Sequence, residues 1–206
     1  MSRRLDGGSQ RAQVPAPPAP ERGLFRCWTS SDPLYDAYHD EEWGRPVRDE
    51  RGLYERLCLE GFQSGLSWLT ILRKREAFRE AFAGFDPERV AEFDETDVQR
   101  LLRDAGIVRH RGKIEASIAN ARATLALRAD TPLEELFWSF APAHHAIPQT
   151  PADWQASTPE SVALARALRK SGFRFVGPTT VYAAMQACGV VNDHLATCFV
   201  RTSGPS

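Results

Sequence analysis

In the middle of segment 43–68, the run LEGF places the carboxylate of Glu60 among apolar and aromatic neighbours. Trp43 and Trp68 bound this segment, and Tyr35 and Tyr38 lie just upstream. Aromatic rings can stack on the faces of a flat ligand, while a carboxylate accepts hydrogen bonds from its edge. This combination favours a flat, nitrogen-rich, electron-poor ligand, and a modified nucleobase is such a ligand.

Two thiols and two imidazoles near the chain ends form a second candidate constellation: Cys27, His39, His194 and Cys198. His194 and Cys198 are spaced i, i+4, so both side chains project from one face of a helix. Two thiolates and two neutral imidazoles would complete a closed tetrahedral zinc site. Such a Zn²⁺ ion would be structural, because it would join the two ends of the ordered chain and close a long loop.

Other histidines and thiols remain as alternatives for this metal. His144 and His145 lie in a proline-rich segment and are the main rival ligands. Cys58 and Cys188 fall on apolar faces and are interpreted as core residues.

A third pattern, a helix, a short glycine-containing turn and a second helix, is predicted for residues 160–170, 173–179 and 180–188. A turn of this kind points backbone N–H groups outward at a helix N-terminus, where they can hold a phosphate. Two groups of cations accompany it: Arg166, Arg169, Lys170 and Arg174 around the turn, and Arg109, Arg111 and Lys113 elsewhere. The alternative is an ordinary solvated helix face.

The bulk composition limits the class of protein. The 206 residues carry a net charge of −1 and are 42% hydrophobic, which suits one compact domain or two lobes sharing a cleft. Any nucleic-acid binding must therefore use locally concentrated positive charge. No apolar run approaches the roughly 18–20 residues of a membrane span, and no signal-like segment begins the chain, which favours the cytoplasm. Reduced thiols are expected there, rather than disulfides.

The elements that must position these residues are predicted to be helical throughout. Residues 1–22 are rich in proline and polar side chains and are expected to be a disordered leader, followed by one helical domain at 23–201 and a tail at 202–206. Helix-start signals and helical spacing predict helices beginning at Pro33 and at 49–62, 67–84, 86–93, 95–102, 114–127, 132–140, 160–170 and 180–188. Residues 141–157 are expected to be a surface loop.

Several long motifs resemble the 3-methyladenine DNA glycosylase I family of constitutive bacterial base-excision enzymes. They include DPLYxxYHDxEWG, LEGFQSGLSW, DAGIVRHRGKI, GFRFVGPTT and MQACGVVNDH, and the similarity runs over residues 26–199. The resemblance implies the all-α fold of the helix-hairpin-helix DNA glycosylase superfamily, with two lobes around a cleft.

The resemblance also implies roles for individual residues. Glu60 corresponds to the base-pocket carboxylate, and the zinc ligands correspond to the four residues already identified. The base-binding aromatics correspond to Tyr35, Tyr38 and Trp68, with Trp28 and Trp43 nearby. The DNA-binding hairpin corresponds to residues 175–179, including Phe175, Val176, Gly177 and Thr179, with Lys170 and Arg174 beside it. One departure is that Cys27 and Trp28 are adjacent, where the family has an intervening residue.

Two further positions bear on mechanism. Most members of the superfamily carry a catalytic aspartate where Asn192 stands in this chain, and Asp193 is the competing carboxylate. Bifunctional relatives carry a lyase lysine after the hairpin glycine, where this chain has Pro178 and Thr179. The resemblance therefore implies hydrolysis by water without an amine nucleophile.

The expected function is that of a monofunctional DNA glycosylase. It would flip 3-methyladenine out of alkylated double-stranded DNA, hydrolyse the N-glycosidic bond and release the free base, acting as a monomer with no membrane partner. One alternative is a non-catalytic, zinc-stabilised module that binds DNA damage. Another is a zinc-dependent hydrolase, which would need an open coordination position at the metal.

Overall fold

A computed structural model of the protein describes residues 25–203, and the regular secondary structure of these residues is helical apart from an isolated parallel β-bridge between Phe25 and Cys198. The predicted all-α class is therefore confirmed. The helices are α1 Pro33–Glu41, α2 Glu50–Gln63, α3 Trp68–Ala81, α4 Pro87–Ala91, α5 Glu95–Arg103, α6 Arg111–Leu127, α7 Leu133–Trp138, α8 Pro159–Lys170, α9 Pro178–Ala187 and α10 Phe199–Ser203. Short 3₁₀ turns occur at Ala83–Phe85 and Pro151–Asp153.

Part of the predicted organisation lies outside this range. The leader 1–22 and residues 204–206 of the predicted tail are not among the described residues. Within 25–203, none of the helices combines the length and apolar character that crossing a lipid bilayer requires.

Side-chain caps start the helices that carry the candidate site. Asp49 accepts a hydrogen bond from the N–H of Gly52 at the start of α2, and Ser67 accepts from Thr70 at the start of α3. Asp32 caps α1 from one residue before Pro33. A capping oxygen satisfies an N–H that has no partner within the helix, which is why these sequence signals predicted the three starts correctly.

Two helix boundaries differ from the sequence prediction by three residues, and the other predicted helix ends lie within two residues of the observed ones. Helix α3 ends at Ala81 instead of near Gly84, because Ala83, Gly84 and Phe85 adopt φ angles of 52°, 69° and 55°. The resulting turn directs the Phe85 ring into the core, where it is fully buried. Helix α6 begins at Arg111 instead of Ile114, because the side chain of His110 accepts from Lys113 and caps a longer helix.

Helix α2 is the centre of the core and packs against α3, α6, α7 and α9. Its buried side chains extend around most of its circumference: Leu53, Tyr54, Leu57, Cys58, Leu59 and Phe62. A helix covered on nearly all sides has no solvent-facing stripe left for a charge. Glu60, between Leu59 and Phe62, is consequently buried as well.

The C-terminal end of α2 is held by a buried amine from α6. Lys113 donates to the carbonyl oxygens of Phe62 at 3.0 Å and Ser64 at 2.6 Å. Burial lowers the pKa of this amine. Arg111 is paired with Glu95 and Glu115. The predicted basic cluster of Arg109, Arg111 and Lys113 therefore lacks an exposed amine at Lys113, whereas Arg111 is exposed and paired with two carboxylates.

We expect Lys113→Met to lower the free energy of unfolding by about 1–3 kcal/mol, because buried carbonyl oxygens lose their donor. Lys74 provides a matched control, since its amine donates to the carbonyls of Ala105 and Gly106 in a more accessible position. Lys74→Met should cost less than about 1 kcal/mol. Urea denaturation followed by circular dichroism measures both free energies of unfolding. Equal losses in the two variants would contradict the role of Lys113 in stabilising the C-terminal end of α2.

Candidate functional site

A cavity of about 300 Å³ opens where α1, the end of α2, the start of α3, loop 141–157 and α9 meet. The structure brings all six predicted base-pocket residues to its lining: Trp28, Tyr35, Tyr38, Trp43, Glu60 and Trp68. Five further residues complete the lining: Gln63, Trp154, Gln155, Ala183 and Gln186. The cavity thus combines large ring surfaces with one carboxylate and three amides.

The aromatic rings around the cavity are in mutual contact. Trp28 stacks on Tyr35 at 5.1 Å between centroids and meets Trp43 edge-on at 5.0 Å. Tyr38 and Trp68 are 5.3 Å apart. Rings that support one another in this way present a preformed surface on which a flat base can stack. The adjacency of Cys27 and Trp28 does not remove Trp28 from this wall.

Glu60 is the acidic residue of the cavity, and it is buried with an oxygen atom left unpaired within residues 25–203. Its side chain is 5% exposed, and its Oε2 atom has no hydrogen-bond partner among the described residues. The indole N–H groups of Trp28 and Trp68 are also buried without a partner there. Buried polar atoms normally find partners, so unsatisfied atoms in one cavity indicate that a polar ligand completes them.

Burial raises the pKa of Glu60 to about 8, against a smaller opposing effect of Arg56. Arg56 lies one helical turn before Glu60, but its guanidinium donates to Glu42 at 2.9 Å. Glu42 in turn forms a bidentate ion pair with Arg75, with hydrogen bonds of 2.6 and 2.7 Å. The nearest cation is therefore committed to another carboxylate, and the ionised form of Glu60 is left poorly stabilised.

The four predicted metal ligands also converge. The candidate ligand atoms of Cys27, His39, His194 and Cys198 all lie within 4.8 Å of one another, and all four residues are buried. The Sγ atoms of Cys27 and Cys198 are each 3.3 Å from Nδ1 of His194. The rival His144 and His145 are not part of this cluster.

The surroundings of the cluster suit a metal ion. The Nδ1 atom of His39 contacts Asp40 at 2.7 Å, and Nε2 of His194 contacts the carbonyl oxygen of Trp43 at 2.9 Å. Acceptors at these outer nitrogens favour protonation there, which leaves the inner nitrogens free as ligands. The Cys27 thiol donates to Cys198, which raises the pKa of Cys27 and lowers the pKa of Cys198. Two thiols and two imidazoles are a donor set that fits a tetrahedral ion.

The predicted hairpin lies between α8 and α9. Phe175 has a φ of 55° and is 42% exposed, while the side chain of Val176 is buried. Asn120 of α6 fixes the turn, because its Oδ1 accepts from the N–H of Arg174 at 2.7 Å and its Nδ2 donates to the Arg174 carbonyl at 3.1 Å. Gly177 precedes α9 and provides no side-chain cap.

The cationic side chains around this turn do not form ion pairs with neighbouring carboxylates. Within residues 25–203, none of the ion pairs includes the exposed side chains of Arg166, Arg169, Lys170 or Arg174. Thr179, in the first turn of α9, is exposed beside them. This surface can therefore offer both positive charge and helix N-terminal N–H groups to an anion.

The two residues considered for water activation occupy different environments. Asn192 is exposed, and its Oδ1 accepts from the N–H of His194. Asp193 is buried, and it lines a separate, neighbouring cavity of about 430 Å³. Its Oδ1 contacts His145 at 2.6 Å, and its Oδ2 accepts from Tyr182 and Gln186, both at 2.7 Å. Both carboxylate oxygens of Asp193 are thus already hydrogen-bonded.

Comparison with known proteins gives the family. A family model described as methyladenine glycosylase matches residues 28–201. The chain belongs to the methyladenine glycosylase family. DNA-3-methyladenine glycosylase 1 of Escherichia coli (strain K12) is 52% identical over 179 residues, which cover 85% of this chain and 96% of that relative.

Solved structures agree with this membership. A crystal structure of 3-methyladenine DNA glycosylase I has a TM-score of 0.82 at 54% identity, with 85% of this chain and 98% of that chain covered. A tyrosine-to-phenylalanine variant of such an enzyme, solved in complex with 3-methyladenine, has a TM-score of 0.80 at 35% identity, with 86% and 95% covered. The all-helical fold described above is the fold of these family members.

Five of the residues that line the cavity were not predicted from the sequence. Gln63 lies three positions after Glu60 in α2, so helical spacing could have placed it on the same face. Ala183 and Gln186 are likewise three apart in α9, but nothing local connects them with Glu60. Trp154 and Gln155 belong to loop 141–157, whose path no periodic pattern predicts.

The raised pKa of Glu60 should be visible in the stability of the ligand-free protein. Between the ordinary carboxyl pKa of 4.5 and the folded-state value of about 8, only the unfolded state ionises. The free energy of unfolding should therefore fall as pH rises through this window, by up to about 1.4 kcal/mol per pH unit, and should level off on either side.

The variant Glu60→Gln has no ionisable group at position 60, so it lacks this pH dependence of the free energy of unfolding. Its free energy of unfolding relative to wild type should increase from pH 5 to pH 8, as measured by urea denaturation at each pH. The same exchange at the exposed Glu41 controls for the loss of one charge. Parallel pH profiles of wild type and Glu60→Gln would show that burial does not perturb this carboxyl.

Proposed function

We propose that the protein is a monofunctional DNA glycosylase that releases 3-methyladenine from alkylated double-stranded DNA by hydrolysing the N-glycosidic bond. The observation that carries the proposal is the buried, unpartnered carboxylate of Glu60 in a ring-lined cavity large enough for a flat ligand. Family membership supports the same reaction, since the relatives named above are 3-methyladenine DNA glycosylases.

The charge of the damaged base explains why a carboxylate in an aromatic cavity is suited to this task. Alkylation at N3 leaves adenine cationic and weakens its glycosidic bond, and the departing base is neutral. A base must first leave the duplex stack, which costs a few kcal/mol. Stacking on aromatic side chains returns about 1–3 kcal/mol per base, and cation–π attraction adds roughly 0.5–2 kcal/mol for a cation. An ordinary, neutral adenine lacks the second contribution.

The pKa of Glu60 adds a second means of discrimination. With a value of about 8, the side chain is largely protonated in the empty cavity at neutral pH. A cationic base beside it favours the ionised form, which then accepts a hydrogen bond from the exocyclic amine and balances the charge. A neutral base gives no such assistance and must share the cavity with a protonated acid or an unpaired carboxylate.

The residues around the hairpin support hydrolysis without a covalent intermediate. Pro178 and Thr179 stand where a lyase lysine would be, so no amine nucleophile is available at those positions. Asp193 has both oxygens engaged and lines a different cavity, which argues against its acting as a general base. Water attack on the sugar then relies on the intrinsic weakness of the bond.

The hairpin between α8 and α9 is proposed to be the DNA-binding element of a helix-hairpin-helix fold. Unpaired Arg169, Lys170 and Arg174 supply local positive charge on a chain that is otherwise nearly neutral. The exposed Phe175 lies three residues before Pro178, the residue at which α9 begins. Backbone contacts to phosphate fix a protein on the duplex without reading its sequence, which suits a search for damage.

The Cys27, His39, His194 and Cys198 cluster is proposed to hold one structural Zn²⁺ ion that links the two ends of the domain. When bound, the ion would contribute folding energy and no reaction step, because four protein ligands complete a tetrahedral shell. The same count argues against a zinc-dependent hydrolase, which needs an open coordination position. The protein is further proposed to act as a cytoplasmic monomer.

Metal analysis should find about one zinc ion per chain, since the donor set is complete. Cys198→Ser should lose the metal and show a lower midpoint of thermal unfolding, because the chain ends are no longer joined. Cys58→Ser is the matched control, since Cys58 is also buried but lies outside the cluster. Mass spectrometry under native conditions and thermal denaturation report both effects. Zinc retention by Cys198→Ser would refute the assignment.

Methylated duplex DNA should lose free 3-methyladenine on incubation with the protein, as resolved by chromatography. Glu60→Gln should slow release about ten- to hundredfold, because a hydrogen bond to a charged group contributes roughly 1.5–3 kcal/mol. Borohydride should trap no covalent DNA adduct. Wild-type rates in a folded Glu60→Gln protein would remove the role assigned to Glu60. Tight binding of methylated DNA without any base release would instead favour a non-catalytic damage-binding module.

A further inference from the structure

Loop 141–157 contributes one large ring to the cavity. The indole of Trp154 lines the same cavity as Glu60, and its centroid lies 6.5 Å from that of Trp28 and 6.2 Å from that of Trp43. Both contacts are edge-on, with interplanar angles of 69° and 78°. Trp154 therefore closes the aromatic wall from a segment that is not part of the helical core.

The position of this loop is set by the short segment 193–196. The Nε1 atom of Trp154 donates to the carbonyl oxygen of Asp193 at 2.9 Å. His145, at the other end of the loop, donates from Nε2 to Oδ1 of Asp193 at 2.6 Å. Between them, the Pro148 carbonyl accepts from the N–H of Ala196 at 2.8 Å. Three hydrogen bonds thus fasten both ends and the middle of the loop to one stretch of chain.

The same carboxylate also fixes a second wall of the cavity. The Oδ2 atom of Asp193 accepts from Tyr182 and Gln186 of α9, and Gln186 lines the cavity. One buried residue therefore holds Trp154 on the loop through its backbone carbonyl and Gln186 on the helix through its carboxylate. A carboxylate satisfied by three donors is well suited to this task and poorly suited to accept a proton from water.

We propose that Trp154 is a specificity-determining residue of the base pocket and that Asp193, through its hydrogen bonds to His145 and Trp154, is the positioning residue that holds it. This inference rests on the proposed function. The indole would limit the size of the alkylated base that can enter and would contribute stacking area to the base that fits. Removing it opens the cavity on the loop side and leaves Glu60, Tyr38 and Trp68 in place.

The test compares wild type with Trp154→Ala by two measurements. The first is the dissociation constant of free 3-methyladenine from titration calorimetry, which we expect to rise about tenfold when one stacking ring is lost. The second is the ratio of 3-ethyladenine to 3-methyladenine released from duplexes alkylated at N3, which should increase in the variant. Unchanged affinity together with an unchanged ratio would overturn the proposal.

A matched control separates a loss of pocket wall from a general loss of packing. Trp138 also donates its indole N–H to a backbone carbonyl, that of Val47 at 2.9 Å, but it does not line the cavity. Trp138→Ala should leave both the affinity and the release ratio at wild-type values. If it reproduces the effects of Trp154→Ala, the changes report stability and the proposal is wrong.

The positioning part of the proposal is tested at His145. His145→Ala removes one donor to Asp193 and should shift the release ratio in the same direction as Trp154→Ala. His145→Gln, whose amide can still donate to the carboxylate, should restore the wild-type ratio. A wild-type ratio in His145→Ala would show that the loop is held without this hydrogen bond. If wild type releases no 3-methyladenine, the proposed function is wrong. The role of Trp154 is then still tested by calorimetry, which measures the affinity of wild type and Trp154→Ala for the free base.

Discussion

A carboxylate without a counter-charge, buried in a helix that is covered on nearly all sides, is the constraint on which the site depends. Removing a charged group from water is costly unless hydrogen bonds or an opposite charge compensate it, and Glu60 has neither for its Oε2 atom among the described residues. Burial disfavours the ionised form of Glu60, which is the physical meaning of its raised pKa. In the proposed function, a cationic base in the cavity would supply the missing counter-charge, so the same burial would favour a cationic occupant over a neutral one.

The rest of α2 explains how such a group can be maintained. Leu53, Leu57 and Phe62 anchor the helix in the core, and Lys113 closes its C-terminal end by donating to two carbonyl oxygens. An unsatisfied acid on a loosely held helix would relax toward solvent. Because α2 is anchored on every side, the Glu60 side chain cannot move into solvent. Its ionisation therefore depends on what the cavity contains.

The candidate metal cluster and the candidate base pocket are built from the same short elements. Helix α1 contributes Tyr38 to the pocket and His39 to the cluster, and Trp28 directly follows Cys27 in the sequence. The carbonyl of Trp43, whose ring lines the pocket, contacts His194. A metal ion that orders the cluster would therefore also order three aromatic walls. In the proposed function, this coupling would give a structural metal a direct effect on base recognition, although the metal would lie outside the cavity.

The sequence predicted those parts of the site that local chemistry determines, and it failed where distant segments meet. The capping residue Ser67 predicted the start of α3, helical spacing from Asp49 predicted the start of α2, and the aromatic residues near Glu60 predicted the cavity. Lys113 was misassigned, because a lysine beside two arginines has the same local pattern whether it faces DNA or braces a helix. Trp154 was missed, because hydrogen bonds to segment 193–196, far away in the sequence, bring its loop to the cavity.

These two errors have a common physical origin. In both cases a polar side chain is satisfied by backbone carbonyls far away in the sequence, and such partners leave no periodic trace in the chain. They nevertheless decide what the site can do, since one fixes the helix that carries the acid and the other fixes the wall that faces it. The residue types thus predicted which aromatic and acidic groups line the cavity, whereas the placement of its walls depends on tertiary hydrogen bonds that only the folded structure reveals.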